Sequence, residues 1–145
     1  MNRRTAFVII VMSAVSPVSS AEDPAKEELK KLEGTWQLIS AITNGKPASD
    51  DFVAKVQVII KDGKHTVKID GETVAKEIPV TVDPSTDPKS TTDTLPDGQK
   101  IYGIYKLEGE MLTSCVAKPS QDRPKSFSAE SGSEFTLRVF RRVRK

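Results

Sequence analysis

The stretch Val56-Gln57-Val58-Ile59-Ile60-Lys61-Asp62-Gly63-Lys64-His65-Thr66-Val67-Lys68-Ile69 decides how this chain folds. Residues alternate with a period of two on both sides of Asp62-Gly63, and Asp-Gly suits a two-residue hairpin turn, in which both positions take positive φ. If Lys61 faces Lys64, then Ile60 pairs with His65, Val58 with Val67 and Val56 with Ile69, so the apolar faces of the two strands coincide. The alternation reaches back through Ala54 to Phe52, which predicts one strand from Phe52 to Lys61. Asp70-Gly71 repeats the device. It pairs Val67 with Val74 and His65 with Lys76, and Ile78, Val80 and Val82 continue the inward set.

The same period extends in both directions. Trp36, Leu38, Ser40 and Ile42 form one face before the turn Asn44-Gly45-Lys46-Pro47. Downstream, Pro84 and Pro88 mark a connection, Thr91 to Leu95 is a short β-prone piece, and Pro96-Asp97-Gly98 is a turn. Ile101, Gly103, Tyr105 and Leu107 alternate with Tyr102, Ile104 and Lys106, with apolar residues on both faces. Glu108-Gly109 then turns into Met111 to Ala117. After a polar loop, Lys118 to Ser133, the last strand places Phe135, Leu137, Val139, Arg141 and Val143 on one face. Only Asp23-Pro24 followed by Ala25 to Leu32 reads as a helix, with an aspartate cap and proline at the first helical position.

Eight strands joined by short turns, without crossover helices, predict an all-β antiparallel up-and-down meander. A meander of even strand number closes into a barrel when its first and last strands pair, which removes the exposed edges. A two-sheet sandwich is the rival and would need long connections that switch sheets. The expected seam joins Trp36, at the start of the first strand, to Arg141, at the end of the last. Stacking on the indole and bonding to strand carbonyls would offset the cost of a guanidinium on an apolar face.

Arg3 and Arg4, the apolar run Ala6 to Val15 and the small residues Ser19-Ser20-Ala21 have the three-part layout of a secretory signal peptide. The expected division is a signal peptide over residues 1–21 and a barrel domain over 22–145. The apolar run is too short to span a bilayer, which takes about 20 residues. The whole chain has 22 basic and 20 acidic residues, and two of the basic ones lie in the leader, so the remainder is formally neutral. A neutral domain has no long-range field to gather phosphates, which argues against nucleic acid as a partner. The single cysteine, Cys115, has no internal disulfide partner and is expected to be buried.

No catalytic signature stands out. His65 and Cys115, the one histidine and the one cysteine, fall on different expected hairpins, so a nucleophile with its base is not indicated. Asp83, Ser85 and Asp87 have the spacing of a calcium-loop start, but Pro88 and Thr94 replace the glycine and glutamate that such a loop needs. No zinc-like cluster and no facing carboxylate pair is found, and neither metal nor cofactor is expected. His65 and Lys76, opposite one another on the inward face, are expected to hold the carboxylate or hydroxyl of an otherwise apolar ligand. The loop carrying Arg123-Pro124 and Phe127 is expected at a barrel mouth, as a lid or a partner-binding finger.

Gly34-Thr35-Trp36 after a short helix, with a late arginine, resembles the Gly-x-Trp signature of lipocalin and wider calycin barrels. A longer resemblance runs through Leu32 to Trp36, Asp83-Pro84, Pro88-Lys89, Asp93, Gly103-Ile104-Tyr105, Leu107-Glu108-Gly109, Leu112, Cys115, Arg123-Pro124 and Phe127. It is similar to a family of uncharacterised secreted domains expanded in planctomycete bacteria. That resemblance implies export and a lipocalin-like barrel, with no established activity. The expectation is a periplasmic or secreted protein, not an enzyme, that binds a small and largely apolar ligand. Val58, His65, Val67, Val74, Lys76, Tyr105 and Arg123 are the candidate ligand-binding residues, and Gly34, Trp36 and Arg141 the structural ones. The alternative is a protein-interaction or inhibitor module that works through its mouth loops, with a filled interior.

Overall fold

The computed structural model describes residues 23–144; the expected signal peptide lies outside them. A short helix, α1 (Pro24–Leu32), leads into β1 (Gly34–Thr43), β2 (Lys46–Pro47), helix α2 (Asp50–Lys55), β3 (Val56–Lys61), β4 (Lys64–Ile69) and β5 (Glu72–Asp83). Then follow β6 (Lys89–Thr94), β7 (Lys100–Glu108), β8 (Met111–Val116) and β9 (Thr136–Arg142). Except for β2, each strand pairs antiparallel with the next, and β9 returns to pair with β1. Eight strands therefore close into a barrel. The two-residue β2 is an extra piece that folds back on Ile42 and Thr43 of β1.

The deciding hairpin forms in the expected register, from Lys61↔Lys64 to Val56↔Ile69, with Asp62 at φ 52° and Gly63 at φ 71°. The next hairpin departs from expectation. Beyond Asp70-Gly71, Val67 pairs with Ala75 and His65 with Ile78, because two register shifts put extra residues into β5. A bulged residue is left out of the ladder and its side chain is re-aimed. Val74 is consequently 57% exposed and Lys76 is also on the surface, so neither lines the interior. After the two insertions the alternation recovers its phase, and Ile78 and Val82 are buried as expected.

Two further expectations are corrected. Phe52 is not in a strand: Ser49 caps α2, its Oγ accepting the Phe52 amide at 3.3 Å, while Asp50 and Asp51 fill the first turn. Val53, not Phe52, packs inward. On β9 the inward face is Arg138, Phe140 and Arg142 instead of the more apolar odd-numbered set, with Phe140 4% exposed in the core. The outer face of this region is covered. Ile104 and its cross-strand partner Cys115 turn away from the barrel interior yet are buried, and the Cys115 thiol meets the Ser128 carbonyl at 3.5 Å. Pro124 and Ala129 of the long loop are buried as well, so that loop lies on the outside of the wall.

At the seam, the partner of Trp36 is Arg142 rather than Arg141, which is exposed. Trp36 is fully buried and donates from Nε1 to the Leu32 carbonyl at 2.9 Å, tying the barrel to the end of α1. Gly34 has φ 135°, and a Cβ there would stand 2.9 Å from Arg142 Nη1. Glycine is thus required both for the backbone turn out of α1 and for the passage of the arginine.

Candidate functional site

The closed wall leaves a partly enclosed cavity of about 80 Å³ inside the barrel. One end is stopped by Leu29 and Leu32, the inward residues of α1. Trp36, Val58, Val67, Leu112 and Phe140 supply apolar wall. Of the expected ligand-binding residues, Val58, His65, Val67 and Tyr105 border this space, whereas Val74 and Lys76 do not. Arg123 does not border it either. Its Nη1 donates to the carbonyls of Thr91 (2.5 Å) and Gly103 (2.6 Å), its Nη2 reaches Thr92 Oγ1, and its guanidinium covers the Tyr102 ring. Arg123 is therefore a clamp that holds the long loop to β6 and β7. Asn44 secures the far end of the loop, with its Oδ1 accepting from the amides of Gly132 (2.7 Å) and Glu134 (3.1 Å). The loop, expected as a lid or a partner-binding finger, is thus held against the wall at two points, by Arg123 and by Asn44.

Sequence reasoning missed the polar half of the cavity. Arg138 of β9, Asp93 of β6, Ser114 of β8 and Thr91 of β6 all border it, together with His65 of β4. Each place follows from the ladder. Val80 and Val82 pair with Asp93 and Thr91, and Arg138 pairs with Ser114 and Ala41, so inward strand faces carry them all to one level. The available signal was the cross-strand pairing of β5 with β6: once Val80 faces inward, Asp93 must.

Burial sets the electrostatics of this cluster. It pushes the Asp93 pKa up to about 6, with the Arg138 charge acting in the opposite direction. It also pulls the His65 pKa down to about 4, with Arg138 adding to the effect. Near neutrality His65 is an uncharged imidazole, and its Nδ1 lies 3.9 Å from Asp93 Oδ2, too far for a hydrogen bond. The ion of consequence is Arg138. Burial lowers its pKa, and Asp93 opposes that shift, but a guanidinium stays charged in proteins.

Arg138 Nε donates to Ser114 Oγ at 3.2 Å. Among the described residues this is the only hydrogen bond of a group that carries five N–H donors. The Arg138 side chain borders the cavity, its guanidinium carbon is 5.6 Å from the centroid of the Phe140 ring, and none of its nitrogens is both sealed off and unpartnered. No direct ion pair joins Arg138 to Asp93 among the described residues. Ser114 Oγ accepts the Arg138 bond and, among the described residues, has no hydrogen bond to His65.

Tyr105 also borders this space, but its hydroxyl is sealed from it. Tyr105 is 2% exposed, and its Oη has no hydrogen-bond partner. Burial raises the Tyr105 pKa, and the nearby Glu28 carboxylate adds to the rise without closing a bond of ordinary length. Glu28 is itself buried in α1. Burial works to raise its pKa, but the Lys89 ammonium at 2.8 Å and Lys31 at 3.5 Å outweigh that and leave it lowered.

Among the described residues no group of three or more histidine, cysteine, aspartate or glutamate side chains is placed to hold a metal ion. No helix there is long and apolar enough to cross a membrane. Comparison with protein-family models, with curated proteins and with solved structures gives no match to this chain.

Proposed function

We propose that this protein binds a small, largely apolar molecule inside its barrel, and that it acts by binding rather than by catalysis. The observation that carries this reading is the cavity itself: a gap in the centre of the core, walled by Trp36, Val58, Val67 and Leu112. Well-packed interiors contain few voids larger than a water molecule, and closed eight-stranded barrels are of a size to hold one small ligand. The cavity also favours this reading over one in which the barrel is packed solid and engages a protein through its loops. The chemistry of the wall is suited to holding and orienting, because its hydroxyls and imidazole form no nucleophile-base pair.

Trp36, the only tryptophan, borders the cavity and provides an internal reporter. Protein stripped of bound lipid by refolding is titrated with toluene, cyclohexanol and short carboxylic acids, following Trp36 emission and the methyl resonances of Val58 and Val67. Saturable, one-to-one changes centred on those residues are expected. Absence of saturable change with every compound would overturn the reading. Export is a separate proposal that rests on the sequence of residues 1–21, and the mass of protein recovered from the periplasm of an expressing bacterium tests it.

A further inference from the structure

Three facts about the cavity bear on what occupies it. The first is a cation with donors to spare: Arg138 borders the cavity and gives its one hydrogen bond from Nε to Ser114, with its guanidinium carbon 5.6 Å from the centroid of the Phe140 ring. A charged donor without a protein partner is available to a ligand, and its hydrogen bonds are the strong ones. The second is the wall around it, which Val58, Val67, Leu112 and Phe140 make apolar. Together they describe a site for a molecule with one anionic end and an apolar body. The third is size. A water needs roughly 10–15 Å³ in this measure, so about 80 Å³ holds on the order of five to eight water-sized atoms.

We propose that the cavity takes a small monocarboxylic acid, its carboxylate held by the Arg138 guanidinium and its short apolar tail or ring against Val58, Val67 and Leu112. The proposal rests on the interior-binding reading above and adds the chemical class of the ligand. Arginine suits the task because its planar fork matches the two oxygens of a carboxylate. The cavity size limits the tail to about five or six carbons, as in hexanoate or benzoate, with the carboxylate beside Arg138. Longer acids would have to leave their tails outside the barrel.

Charge balance selects one negative charge over two. Asp93 is the anion that already offsets Arg138 from across the space. When a ligand carboxylate arrives, two anions share one buried cation, and the cheaper state is the one in which Asp93 takes up a proton. The site is then neutral overall: guanidinium, ligand carboxylate and uncharged Asp93. A dianion such as phosphate would leave an unbalanced charge in an apolar wall. Asp93 accepts that proton readily, because burial already brings its pKa to about 6.

The titratable groups that face Asp93 are few. His65 on β4 is uncharged near neutrality, Arg138 on β9 is the cation, and Tyr105 on β7 is held protonated, chiefly by burial; Cys115 on β8 lies on the outer face and burial holds it protonated too. The uptake is therefore confined to Asp93. Binding of an acid tightens as the pH falls towards the Asp93 pKa, whereas binding of a neutral analogue does not.

The test compares hexanoate with hexanamide and benzoate with benzamide, read by Trp36 emission and calorimetry at constant ionic strength. At about pH 7 the acids should bind some 30-fold more tightly than the amides, the scale of one charge-assisted hydrogen-bonded pair. Between about pH 8 and pH 6 acid affinity should rise roughly tenfold or more, with close to one proton taken up per ligand, and amide affinity should stay level. Arg138→Gln should abolish the preference for the acid, and Asp93→Asn should abolish the pH dependence. If the amides bind as tightly as the acids, the proposal is overturned and the interior-binding reading stands. Should neither class bind, the proposal falls, and the interior-binding reading falls with it only when toluene and cyclohexanol also fail to saturate. The pH and proton-uptake measurements use the unaltered protein, so they decide the matter even if a variant does not fold.

Discussion

The guanidinium carbon of Arg142 stands 4.3 Å from the centroid of the Trp36 ring, while its Nη atoms donate to the carbonyls of Lys31 (2.7 Å) and Glu33. Three parts of the fold meet in this one contact: the start of β1, the end of β9 and the last turn of α1. Carbonyls at a helix C-terminus have no intrahelical donor, and a cation there also complements the helix dipole. The arginine thus closes the barrel and holds α1 against its end, next to the cavity stoppered by Leu29 and Leu32.

Arg142→Ala should destabilise the protein by about 2 kcal/mol, summed from a cation–π contact and hydrogen bonds from a charged donor. Arg142→Lys should recover only part of this, because an ammonium lacks the flat face and the fork. Arg141→Ala, on the exposed neighbour, should change stability by no more than about 0.5 kcal/mol. Urea unfolding of the three variants checks the assignment, and equal losses at the two arginines would contradict it.

Gly103 supports the clamp on the long loop. A Cβ at this position would stand 2.8 Å from Thr91 Oγ1, 2.8 Å from Val116 Cγ1 and 3.0 Å from the Cys115 carbonyl, on the strand whose Gly103 carbonyl accepts from Arg123. Gly103→Ala should therefore cost about 1–3 kcal/mol through forced backbone displacement. The loop should loosen with it. Faster reaction of the Cys115 thiol with a disulfide reagent, measured well below the unfolding transition, would report that loosening; an unchanged rate would show that the loop does not depend on the close approach of these strands.

Legibility from the sequence was uneven, for physical reasons that particular residues make clear. Asp62-Gly63 fixes a register locally, through backbone conformation alone, and that hairpin was read residue for residue. The bulges of β5 leave no trace in the alternation, because Ile78, Val80 and Val82 return to the expected phase after two insertions. Val74 and Lys76 were misplaced for that reason. The face of β9 was misread because counting apolar residues presumes a wet exterior, and here the long loop covers the outside of the neighbouring strands. Ser49 followed by two aspartates was a legible helix start, but the alternation of Phe52, Ala54 and Val56 outweighed it. The inward places of Asp93 and Arg138 were not legible because charges on strands are ordinarily solvated; only the pairing of several strands brings them inside.

The corrected wall predicts which valines matter. Val67→Phe, which adds volume where Val67 borders the cavity, should abolish binding of toluene-sized probes while changing stability by less than about 2 kcal/mol, since the added ring enters a space already empty. Val74→Phe, on the exposed bulge, should leave binding unchanged. Parallel titrations of the two variants separate interior from surface, and loss of binding in the second would place the ligand elsewhere.

His65 and Asp93 make a pH prediction with opposite signs. Burial first, and Arg138 second, depress the folded pKa of His65 from 6.5 to about 4. The folded protein thus binds this proton less readily than the unfolded chain does, and stability drops as pH falls from 6.5 towards 4. Asp93 is displaced the other way, from 3.8 to about 6, so the folded protein holds that proton more tightly and stability rises as pH falls from 6 towards 3.8. At about 1.4 kcal/mol per unit, the two contributions are each on the order of 3 kcal/mol, share one window and largely cancel. His65→Gln removes one side of the balance. Relative to the unaltered protein, the variant should gain about 2–3 kcal/mol on going from about pH 7 to about pH 4, because Asp93 is still relieved by protonation while no imidazole has to charge. Denaturant unfolding across that range measures the difference. A difference independent of pH would mean that the imidazole reaches water and does not share the interior with Asp93 and Arg138.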